Sequence, residues 1–79
     1  MLTADDVTAV EEVNRRAVEW LPAPRAVREA HAALTQAMSR YMRALDGSDP
    51  PRIDDAAELV RECVEALRAE LGPREAPRG

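Results

Sequence analysis

The longest helical pattern in the chain reads PRAVREAHAALTQAMSRYMRAL at residues 24–45. It carries two adjoining apolar stripes at helical spacing, which together cover about half of the helix circumference. The bulky stripe contains Val27, Leu34, Met38, Tyr41 and Leu45, and the small stripe contains Ala26, Ala30, Ala33, Ala37 and Ala44. Because a helix that packs on one neighbour needs a narrower stripe, this pattern predicts a central helix that touches at least two partners.

Two prolines separate this helix from another helical pattern on its N-terminal side. Residues 21–24 read Leu-Pro-Ala-Pro. A residue before proline avoids the α region, so the preceding helix is expected to end at Leu21, and Pro24 suits the first turn of the next helix. Thr3 and Asp6 have the spacing of a capping box. The sequence therefore predicts a first helix over about 4–21, joined to the second by a short, stiff link.

The clearest loop signal lies on the C-terminal side, where residues 46–51 read Asp-Gly-Ser-Asp-Pro-Pro. Gly47 can close the second helix in the left-handed conformation. The third helix is expected to begin near Asp54 or Asp55, since Asp55 and Glu58 also have capping-box spacing. The Gly72-Pro73 pair is a strong stop signal. The third helix is therefore predicted over about 54–71.

These elements predict an all-α fold, a three-helix hairpin or bundle over about 4–21, 24–45 and 54–71. With 79 residues the chain has room for one domain, expected at residues 1–72 and followed by a disordered tail at residues 73–79. Three glycines and few β-branched runs argue against a β-sandwich or barrel. A hydrophobic content of 46% suits a folded chain and is too high for a disordered one.

The apolar stripes predict association with another chain. Alanine buries little area, so a core built on it gains little transfer free energy, and three short helices cannot cover two wide apolar arcs. We expect a homodimer or a complex with a different protein, most simply a symmetric dimer that forms a larger helical bundle. The residues expected at this interface are Val10, Val13, Ala17, Trp20, Ala30, Ala33, Ala37, Met38 and Tyr41.

Charge alternates along the chain. Residues 1–22, 23–47 and 48–79 carry net charges of −3, +2 and −3, and the whole chain carries −4. This alternation is expected to help the three helices pack side by side. The acidic total disfavours binding to nucleic acid, which is a polyanion.

Several absences guide the remaining expectations. No apolar stretch approaches the roughly 20 residues that span a bilayer, and the N-terminus lacks the features of a secretory signal. A single cysteine, Cys63, forms no internal disulfide, and with one histidine it is too little for a structural zinc site. We therefore expect a cytoplasmic protein with no membrane contact, no bound metal and no cofactor.

Five side chains on the helices are candidates for a special role. Arg25 and Arg28 occupy the first turn of the second helix, where they oppose the helix dipole and could bind a phosphate or carboxylate, or else form ion pairs. His31 is expected to be a boundary histidine and Cys63 a small buried hydrophobe. Asn14 falls in the apolar arc of the first helix, where a buried amide can set the register of a helical seam.

An acidic ridge is predicted on the outer face of the third helix. It contains Asp55, Glu58, Glu62 and Glu65. Its expected role is that of a solvated face, or a contact for a basic partner.

The leading functional hypothesis is a small helical protein-interaction module, an accessory subunit, adaptor, regulator or inhibitor. It would act through an apolar helix face with a charged rim, and it would not be an enzyme. One alternative is a DNA-binding regulator that uses the second helix with Arg25, Arg28, Arg40 and Arg43. Another is a small all-helical dimeric enzyme or anion-binding protein, with Arg25 and Arg28 at the helix N-terminus.

Overall fold

The computed structural model describes residues 1–72, which form three α-helices and no strand. Helix α1 is Ala4–Glu19, α2 is Arg25–Gly47 and α3 is Pro50–Leu71. The predicted all-α, three-helix fold is therefore confirmed. The tail predicted to be disordered, residues 73–79, lies outside the described residues.

Helix α1 begins at the predicted cap and ends slightly early. The Asp6 N–H donates to Thr3 Oγ1 at 3.1 Å, and the Thr3 N–H donates to Asp6 Oδ2 at 2.9 Å, which completes a capping box. The last helical residue is Glu19 and not Leu21, because the chain becomes extended at Trp20 ahead of Pro22. The Leu21–Pro22 peptide bond is cis.

The turn between α2 and α3 is shorter than the sequence predicts. Gly47 is still helical, and Ser48 takes the left-handed conformation, with φ 54° and ψ 42°. Helix α3 then begins at Pro50, four residues before Asp54, because a proline in the first turn loses no helical hydrogen bond. The predicted loop is therefore at the right place but is confined to residues 48–49, and the residue in the left-handed conformation is Ser48 and not Gly47.

The residues that cap the N-termini of α2 and α3 also differ from those expected. Asp49 precedes α3 without a side-chain cap hydrogen bond, so the capping box expected from Asp55 and Glu58 is wrong; both residues lie inside the helix. Pro24 is the N-cap of α2 in an extended conformation and does not belong to its first turn. The stop at Gly72 is confirmed, because α3 ends at Leu71 and Gly72 has a φ of 79°.

Helices α2 and α3 form a long antiparallel hairpin, and α1 packs across one side of it. Helix α2 contacts both other helices, as predicted, but the contact of α1 with α3 is more extensive than its contact with α2, so α3 rather than α2 is the more central helix. The Cα positions extend over 47 × 23 × 15 Å, an elongated and thin shape. The buried core consists of Val13, Ala17, Val27, Leu34, Ala37, Tyr41, Ala56, Ala57, Val60, Val64 and Leu67.

Candidate interaction surface

Helix α1 occupies one side of the hairpin. Arg61 on α3 donates from Nε to Asp6 Oδ2 on α1 at 3.2 Å. Val10 on α1 and Val64 on α3 line a groove beside this pair. The α1 side of the hairpin is therefore already covered by the chain itself.

The chain before α1 and the end of α3 tie the same side together. The Leu2 N–H donates to the hydroxyl of Tyr41 on α2 at 3.0 Å, and the N-terminal ammonium of Met1 lies 3.2 Å from Asp54. At the other end of α1, Arg16 donates to the carbonyl oxygen of Gly72 at 2.9 Å. Contacts at both ends of α1 thus hold it in place.

Asn14 and His31 join the middle of α1 to α2. Nε2 of His31 and Oδ1 of Asn14 form a hydrogen bond across the two helices. Asn14 is exposed and His31 is half-buried, so neither residue lies in the core. A polar link between α1 and α2 is therefore the structural role of both side chains in the single chain.

Helix α1 does not cover the opposite side of the hairpin. Residues two positions apart on an α-helix point about 200° apart. Leu59 and Cys63 are each two positions from Arg61, which contacts α1, and Ala33 is two positions from His31, which also contacts α1. These side chains therefore point to the other side of the hairpin.

We call this other side the open face. Its residues are small or half-buried and apolar. They are Ala26, Ala33 and Ala44 on α2, and Leu59, Cys63 and Ala66 on α3. Ala30 and Ala37 lie beside them, toward the seam between the two helices.

A groove of about 690 Å³ opens at the turn end of this face. Leu59 and Ala44 form its apolar part. Arg40 and Arg43 line it from α2, and Asp55 and Arg52 line it from α3, where Arg52 forms an ion pair with Asp49 at 3.3 Å. The open face is thus an apolar strip with charged groups at its margin, as in the rim of a protein–protein interface.

The arginines of α2 do not pair with the acids of the neighbouring helices. Arg25 forms an ion pair within α2, with Glu29 at 3.0 Å. Within residues 1–72, Arg28, Arg40 and Arg43 form no ion pair. The predicted alternation of charge therefore produces no direct ion pair between α2 and the other helices in the described part of the chain, and its contribution to packing stays a prediction.

The nine residues predicted at the interface lie in three places: seven are in the core or packed against it, one is on the open face, and one is at the end of α1. Val13, Ala17, Ala37 and Tyr41 are buried in the chain's own core, and Val10, Ala30 and Met38 are half-buried against it. Ala33 is exposed on the open face. Trp20, 40% exposed, lies at the end of α1 beside the exposed Val18 and Leu21. The structure therefore does not bring the nine together as one surface.

Arg25 and Arg28 are exposed at the N-terminus of α2. That first turn has neither an acidic residue nor a side-chain cap, and Glu29 already neutralises Arg25. Anion binding by this pair stays a prediction, as does DNA binding by α2.

Cys63 is half-buried on the open face. Burial, and then the nearby negative charge of Glu62, raise the pKa of its thiol, which favours the unreactive protonated form. His31 lies on the opposite, α1-facing side of the hairpin. The single thiol and the single imidazole of the chain are therefore apart.

Asp6, in the contact between α1 and α3, has a side-chain pKa below its ordinary value. Its pKa is lowered chiefly by the hydrogen bond from the Thr3 backbone N–H, and further by the Thr3 hydroxyl and by Arg61. Each of these groups stabilises the carboxylate form.

The acidic ridge is exposed, as predicted. Two of its members are partly neutralised along α3: Glu58 lies 3.3 Å from Arg61, and Glu65 lies 3.1 Å from Arg68. Asp55 and Glu62 form no ion pair with any described residue. The ridge is therefore a solvated face in the single chain.

The residue that sequence reasoning missed is Leu59, which is not among the residues predicted at the interface. Its position four residues before Cys63, one helical turn away, is the signal that could have placed it beside that thiol. The alanine stripe of α2, in contrast, was evident from the sequence.

The sequence matches no protein-family model, and comparisons with curated proteins and with solved structures found no significant similarity. No helix in residues 1–72 is both long and apolar enough to cross a membrane. The same residues contain no cluster of histidine, cysteine and acidic side chains with the geometry to hold a metal ion.

Proposed function

We propose that this protein is a small helical interaction module, an adaptor or regulator, and that the open face is its working surface. The observation that carries the proposal is the one-sided position of α1. It covers one side of the α2–α3 hairpin and leaves an apolar strip on the other side.

The composition of the strip supports docking of a helix. Ala26, Ala33 and Ala66 are short, and helix axes approach to about 8–10 Å depending on the side chains at the contact. Leu59 and Cys63 are half-buried and would lose their remaining exposed area on binding. Burial of this apolar surface would stabilise a complex.

The proposal concerns recognition and not catalysis. Cys63 and His31 lie on opposite sides of the hairpin, which separates a potential nucleophile from a potential base. We further propose that the protein works in the cytoplasm; the half-buried free thiol of Cys63 supports a reducing compartment.

Site-specific photocrosslinking in cells of the source organism tests the proposal. A photoreactive amino acid at position 33 should give one discrete adduct, and Ala66→Arg on the other half of the open face should abolish it. Position 32 is the matched control, because Ala32 is also exposed but points about 100° away.

Adducts at position 32 as strong as those at position 33, or an adduct at 33 that survives Ala66→Arg, would contradict docking on the open face. The mass of the adduct identifies the bound chain. Circular dichroism of the Ala66→Arg protein checks that the helices are intact.

A further inference from the structure

We infer that the chain bound on the open face is a second copy of the protein, packed with α2 of one copy against α3 of the other. This inference rests on the proposed function, because it names the partner of the same surface. It is carried by the distribution of unpaired charge along the two edges of the open face.

The two edges carry opposite unpaired charges. Arg40 and Arg43, on the α2 edge, form no ion pair within residues 1–72. On the α3 edge, Asp55 and Glu62 form none either within the same residues. Two copies of such a surface are complementary when they face each other with the basic edge of one copy against the acidic edge of the other.

A two-fold axis parallel to the helices makes this exchange. Two faces related by such an axis place α2 of one copy on α3 of the other. The rotation does not change the distance of any residue from the turn, measured along the helix axis, which we call its height. The resulting interface is isologous, as in most homodimers.

Heights along the helices bring specific residues together. Arg40 and Arg43 come seven and four residues before Gly47, and Asp55 comes five residues after Pro50. At 1.5 Å per residue, all three lie roughly 6–11 Å from the turn. The α2 arginines of one copy therefore face the partner subunit's Asp55.

The apolar residues match in the same arrangement. Ala33 comes fourteen residues before Gly47, and Cys63 comes thirteen residues after Pro50, so the two have nearly the same height. Ala33 of one copy would thus receive the partner subunit's Cys63. A small residue opposite a larger one allows the two helices to approach closely.

The open face is large enough for a stable dimer. A hairpin of 22-residue helices is about 33 Å long and, with two helices side by side, about 20 Å wide. That is roughly 660 Å² on each copy and about 1,300 Å² in total, which falls within the size range of specific interfaces.

Light scattering coupled to gel filtration, at micromolar concentration, tests the inference. The protein should have about twice its single-chain mass of 8.7 kDa. Arg40→Glu with Arg43→Glu should raise the dimer dissociation constant by about tenfold or more, because like charges would then face each other. Adding Asp55→Arg to that double variant should restore the dimer.

The control is Arg15→Glu with Arg28→Glu, which changes the net charge equally at exposed positions away from the open face. It should remain dimeric. A monomeric parent protein would overturn the inference, and so would a dimer unaffected by reversal of Arg40 and Arg43. If the parent is monomeric while position 33 still crosslinks to a different protein, the proposed function stands and the self-association fails.

Discussion

Leu67 on α3 provides the most direct test of how the core holds the three helices together. Its side chain is 0% exposed and belongs to the central helix, which contacts both others. We expect Leu67→Ala to lower the free energy of unfolding by between about 2.5 and 5 kcal/mol. The lower value is the transfer free energy of three buried carbons at about 0.8 kcal/mol each, and the cavity left behind accounts for the rest.

This loss is large compared with the stability of a chain of this size. At about 0.05–0.15 kcal/mol per residue, the 72 described residues have a total of about 4–11 kcal/mol. Urea unfolding followed by circular dichroism at fixed protein concentration is the assay. With a slope of about 1 kcal/mol/M, the midpoint should fall by about 2 M or more.

Leu21→Ala is the matched control, because Leu21 is 83% exposed and its truncation should cost less than about 0.5 kcal/mol. A loss below about 1 kcal/mol for Leu67→Ala, or equal losses for the two variants, would refute the packing described here.

Three further perturbations address the N-terminal contacts of α1. Thr3→Ala should lower the unfolding free energy by about 1 kcal/mol, because the Asp6 N–H loses its cap, whereas Thr8→Ala, inside α1, should cost nothing in the same urea assay. Because the pKa of Asp6 is lowered by folding, its carboxylate stabilises the fold above about pH 4, and this contribution should disappear as the pH falls through the lowered pKa. Urea unfolding between about pH 5 and about pH 2 should show a smaller loss of unfolding free energy for the Asp6→Asn protein than for the parent protein. Tyr41→Phe removes the acceptor of the Leu2 N–H and should cost about 0.5–1.5 kcal/mol, with faster hydrogen exchange at Leu2.

Each of these three predictions has a result that would contradict it. Equal stability of the Thr3→Ala and Thr8→Ala proteins would argue against the cap. An Asp6→Asn protein that loses as much stability in acid as the parent would show that other carboxylates dominate there. Unchanged exchange at Leu2 in Tyr41→Phe would mean that the Tyr41 hydroxyl does not hold the N-terminal segment.

Local interactions explain why the helices and the cap of α1 were predictable. Thr3 and Asp6 satisfy backbone groups three residues away, Gly72 ends α3 through its own positive φ, and apolar periodicity is a property of each segment alone. The α2–α3 turn was less predictable. Both Gly47 and Ser48 suit the end of a helix, and Pro50 suits the start of the next one as well as a loop.

The candidate site was only partly predictable, for a different reason. The alanine stripe of α2 is visible in the sequence, so its capacity for close helix packing follows from local pattern. Which apolar residues remain uncovered depends on where α1 lies, and this position results from distant contacts such as Asp6 with Arg61 and Leu2 with Tyr41. Predicted interface residues such as Val13 and Tyr41 are therefore in the core.

Local patterns along the chain are sufficient to predict an all-α protein with three helices and with more apolar helix surface than one neighbour requires. Those properties arise from periodicity, caps and prolines, which act within a few residues. The packing of the helices, in contrast, is what makes α3 the more central helix, places α1 on one side of the hairpin, and brings Leu59, Cys63 and Ala33 together on the other side. Side chains distant in sequence share a surface only once the helices have packed, because helix packing sets the direction in which each face points.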